Sequence, residues 1–321
     1  MEIPERKLIK ILRNFEKKDI NVLRGIGDDC AIVKLSGKPY ALCQDAIVEE
    51  IHFSLSYMSP YQIGKKAIYA NIADILSMGA MPLYYQVTLG IPERIMSDVI
   101  RGIYRGMSYV AKEFGLSLLG GDTVSTLNDF FIDVSMVGEV VWGDYKGRNQ
   151  AKENDLIGVT GFLGESAYGL KIMKEGIKKK RGIKRFVKRY LNPRPPFEIW
   201  MEIMKNDITN AMMDVSDGLL LDLERMMEES GKCGVIYYEK LPIPEILKKE
   251  KLDDYALWGG EDYQFLFTFP RNKLELINIL KSKGLIISVI GEVTSGRGIK
   301  VIKDGKEVKY NKVGYEHFSR E

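Results

Sequence analysis

Carboxylates recur in this chain where a solvated surface charge is not expected, and this constrains the fold more than any other feature. The run Gly25-Ile26-Gly27-Asp28-Asp29-Cys30 is the first instance; Asp45, Asp74, Asp122 and the pair Asp214 and Asp217 repeat it. Each stands beside glycines, small residues or an apolar run. Two unit charges ~4 Å apart repel by roughly 4 kcal/mol at an effective dielectric near 20. A fold that gathers several such acids needs cations to hold them. Hard, oxygen-seeking Mg²⁺ is the usual one, and it typically arrives with substrate phosphates. The pattern points to phosphoryl transfer.

At 321 residues the chain exceeds the usual size of a single core, so two domains are expected. Charge and turn residues cluster between Trp142 and Glu153, which gives units of 1–148 and 149–321. The net charge of +3 is too small to imply a nucleic-acid partner or an acidic membrane. No apolar run approaches the ~20 residues of a membrane span. The charged start, Met1 to Lys7, has no secretory h-region. Three cysteines without CxxC spacing exclude a disulfide framework and a structural zinc, so the expected compartment is the cytoplasm. Only His52 and His317 are present, which all but removes nucleophilic triads and His-rich metal sites.

Helix and strand patterns alternate throughout, as in an α/β fold. Apolar spacing predicts a helix over Ile3 to Phe15, then strands over Ala31 to Leu35 and Tyr40 to Asp45. Ser59-Pro60 opens a helix that runs to about Met78. A strand over Leu83 to Leu89, a helix over Ser97 to Phe114 and a strand over Leu116 to Leu119 follow, the last ending in Gly120-Gly121-Asp122. Phe130 to Val141 reads as a long strand. In the second half, strands are predicted at 155–161, 211–213, 235–238, 265–269 and 286–293. Helical material fills 162–205, with a break at Asn192-Pro193, and a further helix follows Gly218.

Several segments admit both a chemical and a plain reading. Asp28 and Asp29 precede a strand, so they face different partners or only one of them is a ligand; the plain reading is a Gly-Asp turn. Asp74 lies on a small-residue helix face with Ile63, Ala67, Ala70 and Ser77; it binds metal, pairs with Lys65 or Lys66, or is solvated. Gly120-Gly121-Asp122 allows close backbone approach to a phosphate, or is a loop. Ser216 suits a helix N-cap and Asp217 the first turn, which leaves Asp214 unexplained. Glu261 recognises a hydroxyl or cationic ring, or is a turn acid. The basic run 178–189 invites a nucleic-acid reading but lacks stacking aromatics, and a solvated helix face explains it better.

Taken in order, these motifs resemble the thiamine-monophosphate kinase family. The resemblance rests on Gly-Ile-Gly-Asp-Asp-Cys-Ala, Asp45, His52-Phe53, Asn71-x-x-Asp74-x-x-x-Met78-Gly79-Ala80, Gly120-Gly121-Asp122-Thr123, Asp214-x-Ser216-Asp217-Gly218 and Gly259-Gly260-Glu261-Asp262-Tyr263. It implies a two-domain PurM-like fold and a homodimer formed through N-terminal strands. The implied reaction moves the γ-phosphoryl group of ATP to thiamine monophosphate with Mg²⁺. By the same resemblance, Asp29, Asp45, Asp74, Asp122, Asp214 and Asp217 look like metal ligands, with Cys43 and Gln44 where the family uses a backbone or side-chain oxygen. Tyr104, Gly121, Asp122, Arg148 and Ser216 match ATP positions; His52, Glu261 and Tyr315 match substrate positions. An anionic acceptor phosphate needs positioning and charge neutralisation rather than a base, so neither a phosphoenzyme nor a general base is expected. The alternative is another ATP-dependent synthetase of the same superfamily, resembling aminoimidazole ribonucleotide synthetase or selenophosphate synthetase.

Overall fold

A computed structural model of the chain describes residues 5–15, 19–177, 182–312 and 314–317. Residues 178–181 of the basic run and Phe318 of the C-terminal motif lie outside the described residues.

The first half contains α1 (Glu5–Leu12), β1 (Val22–Arg24), β2 (Ala31–Leu35), β3 (Lys38–Val48), α2 (Pro60–Ser77), β4 (Ala80–Pro92), α3 (Ser97–Phe114), β5 (Ser117–Thr126) and β6 (Phe131–Val140). Its strands form a six-stranded mixed sheet in the order β1-β2-β3-β6-β4-β5. The second half contains β7 (Leu156–Thr160), α4 (Glu165–Lys174), α5 (Lys184–Leu191), α6 (Phe197–Lys205), β8 (Ala211–Asp214), α7 (Leu219–Ser230) and β9 (Cys233–Tyr237). It continues through α8 (Glu245–Lys249), α9 (Tyr255–Trp258), β10 (Phe265–Phe269), α10 (Leu274–Ser282), β11 (Ile287–Thr294), β12 (Gly298–Lys303) and β13 (Lys306–Val308). These strands form a seven-stranded sheet, β13-β12-β9-β11-β7-β10-β8. The α/β architecture with two sheets is as the alternating pattern predicts.

Helix α2 organises the molecule. Ser59 and Gln62 form a capping box with Pro60 in the first turn, so the start is fixed by sequence. Its second residue row packs against α3 closely enough that a Cβ on Gly64 would meet the Ile103 carbonyl oxygen at 2.0 Å. On its other sides α2 touches β3 and β6 of the first sheet and β8 of the second. Buried apolar residues run without a break from Ile132 and Val134 through Ile68 and Ile72 to Trp200, Phe265 and Phe267. The Trp200 indole N–H donates to the Leu76 carbonyl at 2.5 Å. The two halves therefore share a core with α2 at its centre, and a second core, which includes Val159, Leu223, Met226 and Ile290, lies within the second half.

At the sheet edges one expectation fails and one hairpin has no counterpart in the sequence reading. Gly120, Gly121 and Asp122 do not end a strand; they lie inside β5, paired in parallel with Gln86, Val87 and Thr88 of β4. The β12–β13 hairpin is absent from the sequence reading because its strands are short and lysine-rich. Its Asp304-Gly305 turn, with φ of 50° and 73°, was the available signal.

Candidate active site

Aspartates from five separate elements meet where α2 crosses between the sheets. Asp29 comes from the turn before β2, Asp45 from β3, Asp74 from the last turns of α2, Asp214 from the end of β8, and Asp217 from the turn before α7. One carboxylate oxygen each from Asp29, Asp74 and Asp214 lie within 4.8 Å of one another. The Ser77 hydroxyl donates to Asp29 Oδ2 at 2.8 Å, and Ser216 Oγ donates to Asp214 Oδ1 at 3.3 Å. The other oxygen of Asp214, Oδ2, is buried without a hydrogen-bond partner. A buried acceptor left bare is costly unless something else meets it. An all-oxygen donor set suits a hard divalent cation, so these residues fit magnesium.

The electrostatics agree. Burial pushes the Asp74 carboxyl well above its ordinary range, and Asp45, Cys43 and Asp214 push it further. Burial also raises Asp214, with the Asp29 and Asp222 carboxylates adding to it. Asp45 still reaches solvent, yet the surrounding chain desolvates its carboxylate and Asp217 and Asp29 repel it, lifting it to about 6. Such crowding favours protons or metal over bare charges.

Cations line one flank. Arg148, in the segment joining the sheets, donates to Asp29 and presents its backbone N–H to Asp28 Oδ2 at 3.1 Å. Asp28 also pairs with Arg24 Nε at 2.7 Å, and burial lifts it to about 6 against the pull of Arg148 and Arg24. The adjacent acids thus share Arg148 and differ in their other partners, Arg24 for Asp28 and Ser77 for Asp29, and both lie in the Gly-Asp turn before β2 rather than on a strand. Arg225 donates to Asp217 and lies 3.3 Å from Asp222. Asp222 was missed by the sequence reading. Its carboxylate accepts from the backbone N–H groups of Asp217 and Gly218 at 3.1 and 3.0 Å, at the start of α7. Burial, with Asp217 alongside, raises Asp222 to about 7. Ser216 is therefore not the cap: the helix begins after Gly218, and Asp222 reaches back one turn to do that work. The signal was an acid in the first turn, hidden inside an apolar run.

A second cluster adjoins the first. Lys66, 1% exposed, makes an ion pair with Glu261 Oε1 at 2.5 Å and donates to the His52 carbonyl at 2.6 Å. Its ammonium also lies 4.5 Å from the centroid of the Tyr190 ring. The His52 ring is 5.3 Å from that of His317, which sits 4.9 Å from Tyr315. Burial lowers the His52 pKa, opposed by Glu261 and aided by Lys66. Tyr315 N–H donates to the Asp217 carbonyl at 2.8 Å, which ties the C-terminal segment to the aspartate cluster. His52, Glu261 and Tyr315, far apart in sequence, thus occupy one neighbourhood. Lys66, Tyr190 and His317 complete it, and Lys66 is not the partner of Asp74. Lys66 and Asp74 lie eight residues apart on α2, two turns and ~12 Å along its axis.

Other candidates stand apart. Ala46, Asp133, Thr88 and Asp122 form one row across β3, β6, β4 and β5, so Asp122 lies three strand spacings, ~14 Å, from the Asp45 end of that row. The exposed Asp122 accepts from its neighbour's backbone, Thr123 N–H, at 2.7 Å. Gln44 faces away from α2 and donates to Asp133 at 2.7 Å, whereas Cys43 turns towards α2, its Sγ 3.5 Å from Asn71 Oδ1. Tyr104 is half-buried on α3 among apolar neighbours. In the basic run, Arg185 pairs with Glu165, and Arg189 turns inward to the Arg194 and Asp262 carbonyls. The run is not a uniformly solvated face.

Residues 27–140 match the family described as AIR synthase related protein, N-terminal domain, and residues 154–304 match its C-terminal domain. The thiamine-monophosphate kinase of Buchnera aphidicola subsp. Schizaphis graminum is 34% identical over 99% of this chain and 100% of its own length. That of Bacillus subtilis is 35% identical over 92% of this chain and 93% of its own length. A solved structure described as AaThiL complexed with AMPPCP and TMP superposes with a TM-score of 0.86, at 31% identity, covering 99% of this chain and 98% of its own. The chain belongs to the thiamine-monophosphate kinase family, within the AIR synthase related proteins.

Proposed function

We propose that the chain transfers the γ-phosphoryl group of ATP to the phosphate of thiamine monophosphate, giving thiamine diphosphate and ADP. The observation that carries this reading is the meeting of Asp29, Asp74 and Asp214, from both halves of the chain, beside the His52–Glu261–Tyr315 neighbourhood. The related structure bound to AMPPCP and TMP supports it.

In this reading Asp29, Asp45, Asp74, Asp214 and Asp217 hold magnesium together, whereas Asp122, three strand spacings away, serves a separate ion; Gln44, bonded to Asp133, and Cys43, turned to Asn71, are not ligands through their side chains. Bound magnesium would neutralise the donor and acceptor phosphates. Arg148, Ser216, Tyr104, Gly121 and Asp122 serve ATP. His52, Glu261 and Tyr315 take the aromatic, cationic end of thiamine monophosphate, two helical turns of α2 away from Asp74. An acceptor phosphate oxygen, already anionic, attacks the γ-phosphorus and the bond to the β-phosphate oxygen breaks; no residue has to remove a proton. A cytoplasmic location belongs to the same reading, supported by three cysteines that are all free.

The reading also divides the chain at 148/149 and makes it a homodimer through the open face of the first sheet. Exposed Leu42, Tyr84 and Leu119 on β3, β4 and β5 support that face. Gln44 lies on it, and Asp122 is in its edge strand. Sedimentation of wild type and L119E tests it: a dimer that L119E splits is expected.

Incubation with Mg-ATP and thiamine monophosphate tests the activity. Thiamine diphosphate should form with one ADP per product. No product under saturating substrates would remove the proposal, as would a trapped phosphoenzyme for the direct-transfer step.

A further inference from the structure

Lys66 is the buried charge that the phosphoryl-transfer reading leaves unused. Its ammonium has three N–H donors and no route to solvent, being 1% exposed. The His52 carbonyl takes one at 2.6 Å, Glu261 Oε1 another at 2.5 Å, and the Tyr190 ring face covers the remainder at 4.5 Å. Nothing is left to bind a ligand directly. A buried ion pair gives little net stability over an apolar pair of the same volume, so its effect is to be sought in position.

The partners come from different parts of the fold. His52 follows β3 in the first half, and Glu261 stands between α9 and β10 in the second. Glu261 and Tyr263 both have positive φ, 64° and 44°, a conformation that non-glycine residues keep only when surroundings enforce it. The backbone holds this loop through Glu261 N–H to the Ser216 carbonyl at 2.7 Å and Tyr263 N–H to the Val215 carbonyl at 2.9 Å. Lys66 is what fixes the Glu261 side chain, which remains 25% exposed and has a second carboxylate oxygen.

We propose that Lys66 is a positioning residue for thiamine monophosphate: it clamps Glu261 of the second half against the His52 turn of the first, fixing both walls of the substrate site. The proposal rests on the substrate reading above and adds a residue that never touches the substrate. It separates substrate affinity from ATP affinity, because no contact of Lys66 reaches the residues assigned to ATP.

The test is steady-state kinetics of wild type, K66M, K66R, E261Q and K66M/E261Q, with thermal melts of each. In K66M, KM for thiamine monophosphate should rise at least tenfold while KM for ATP changes less than twofold. K66R, which keeps a cation, should recover most of that loss. K66M/E261Q leaves no unpaired buried charge, so it folds even if K66M does not; its KM should match E261Q within twofold, because Lys66 acts through Glu261. An unchanged substrate KM in K66M, equal rises in both KM values, or additive losses in the double variant would overturn the role of Lys66 while wild-type turnover left the kinase reading intact. A wild type that does not use thiamine monophosphate would overturn both.

Discussion

The Arg148 guanidinium donates to Asp29, 119 residues earlier in the chain, and so anchors the segment between the sheets to the aspartate cluster. The same cluster leaves Asp214 Oδ2 buried and bare. Arg148 offsets Asp29 and Arg225 offsets Asp217, while Asp45, Asp74 and Asp214 are left to protons or a metal ion.

Asp214→Asn tests that requirement. The amide keeps the shape and removes the charge, so the fold should persist. Magnesium affinity should drop and turnover fall by a factor on the order of 10² or more, as when a preorganised electrostatic contact is lost. Calorimetric titration with Mg²⁺ beside a product assay checks both. Full activity would remove Asp214 from the metal site.

Protons and metal compete for these carboxylates, which fixes a pH dependence. Asp45 is raised from 3.8 to about 6, and Asp74 and Asp214 are also raised. The folded, metal-free state thus binds protons more tightly than the unfolded chain. The stability this gives is complete below the unfolded value and is lost as pH rises through the folded one. Magnesium reverses the sense, since it requires the ionised form. The Tm difference between magnesium and EDTA should be small near pH 5 and grow through pH 6 to 7. A difference independent of pH would contradict the assignment.

Asp222→Ala should destabilise the protein by ~2–3 kcal/mol, because it strips the acceptor from two backbone N–H groups and an anion from beside Arg225. Asp222→Asn keeps an acceptor and should cost less. Urea unfolding of the two variants measures the gap; equal losses would show that charge, not the cap, is what matters.

Much of this was readable beforehand. Ser59-Pro60 announces α2 because caps act locally, and the five clustered aspartates stand out because each stands beside glycines, small residues or an apolar run. Lys66 was legible only as a candidate partner for Asp74, because its actual partners, Glu261 and the His52 carbonyl, are distant in the chain and meet it only once the second half covers α2. Asp222 was hidden because the backbone N–H groups it caps carry no sequence signature, and this first-turn acid and Arg225 three residues on sit inside an apolar run. Gly120-Gly121 misled because glycines in a strand-end motif and glycines inside a paired strand look alike until the partner strand is known.

Those two glycines separate the readings of that motif. Both have positive φ, 147° and 153°, so alanine is strained at either. A Cβ on Gly120 meets nothing within 4 Å, whereas a Cβ on Gly121 falls 1.8 Å from the Val87 carbonyl oxygen of β4. Gly121→Ala must therefore push β5 off β4 and should cost ~3 kcal/mol, against ~1 kcal/mol for Gly120→Ala. If Gly121 serves strand pairing, stability falls while the KM for ATP in the surviving folded protein changes little. If it serves a nucleotide, as the family resemblance implies, KM for ATP rises by more than the stability loss explains. Unfolding curves and ATP titrations on the same two variants decide between a glycine that lets two strands meet and one that lets a phosphate approach.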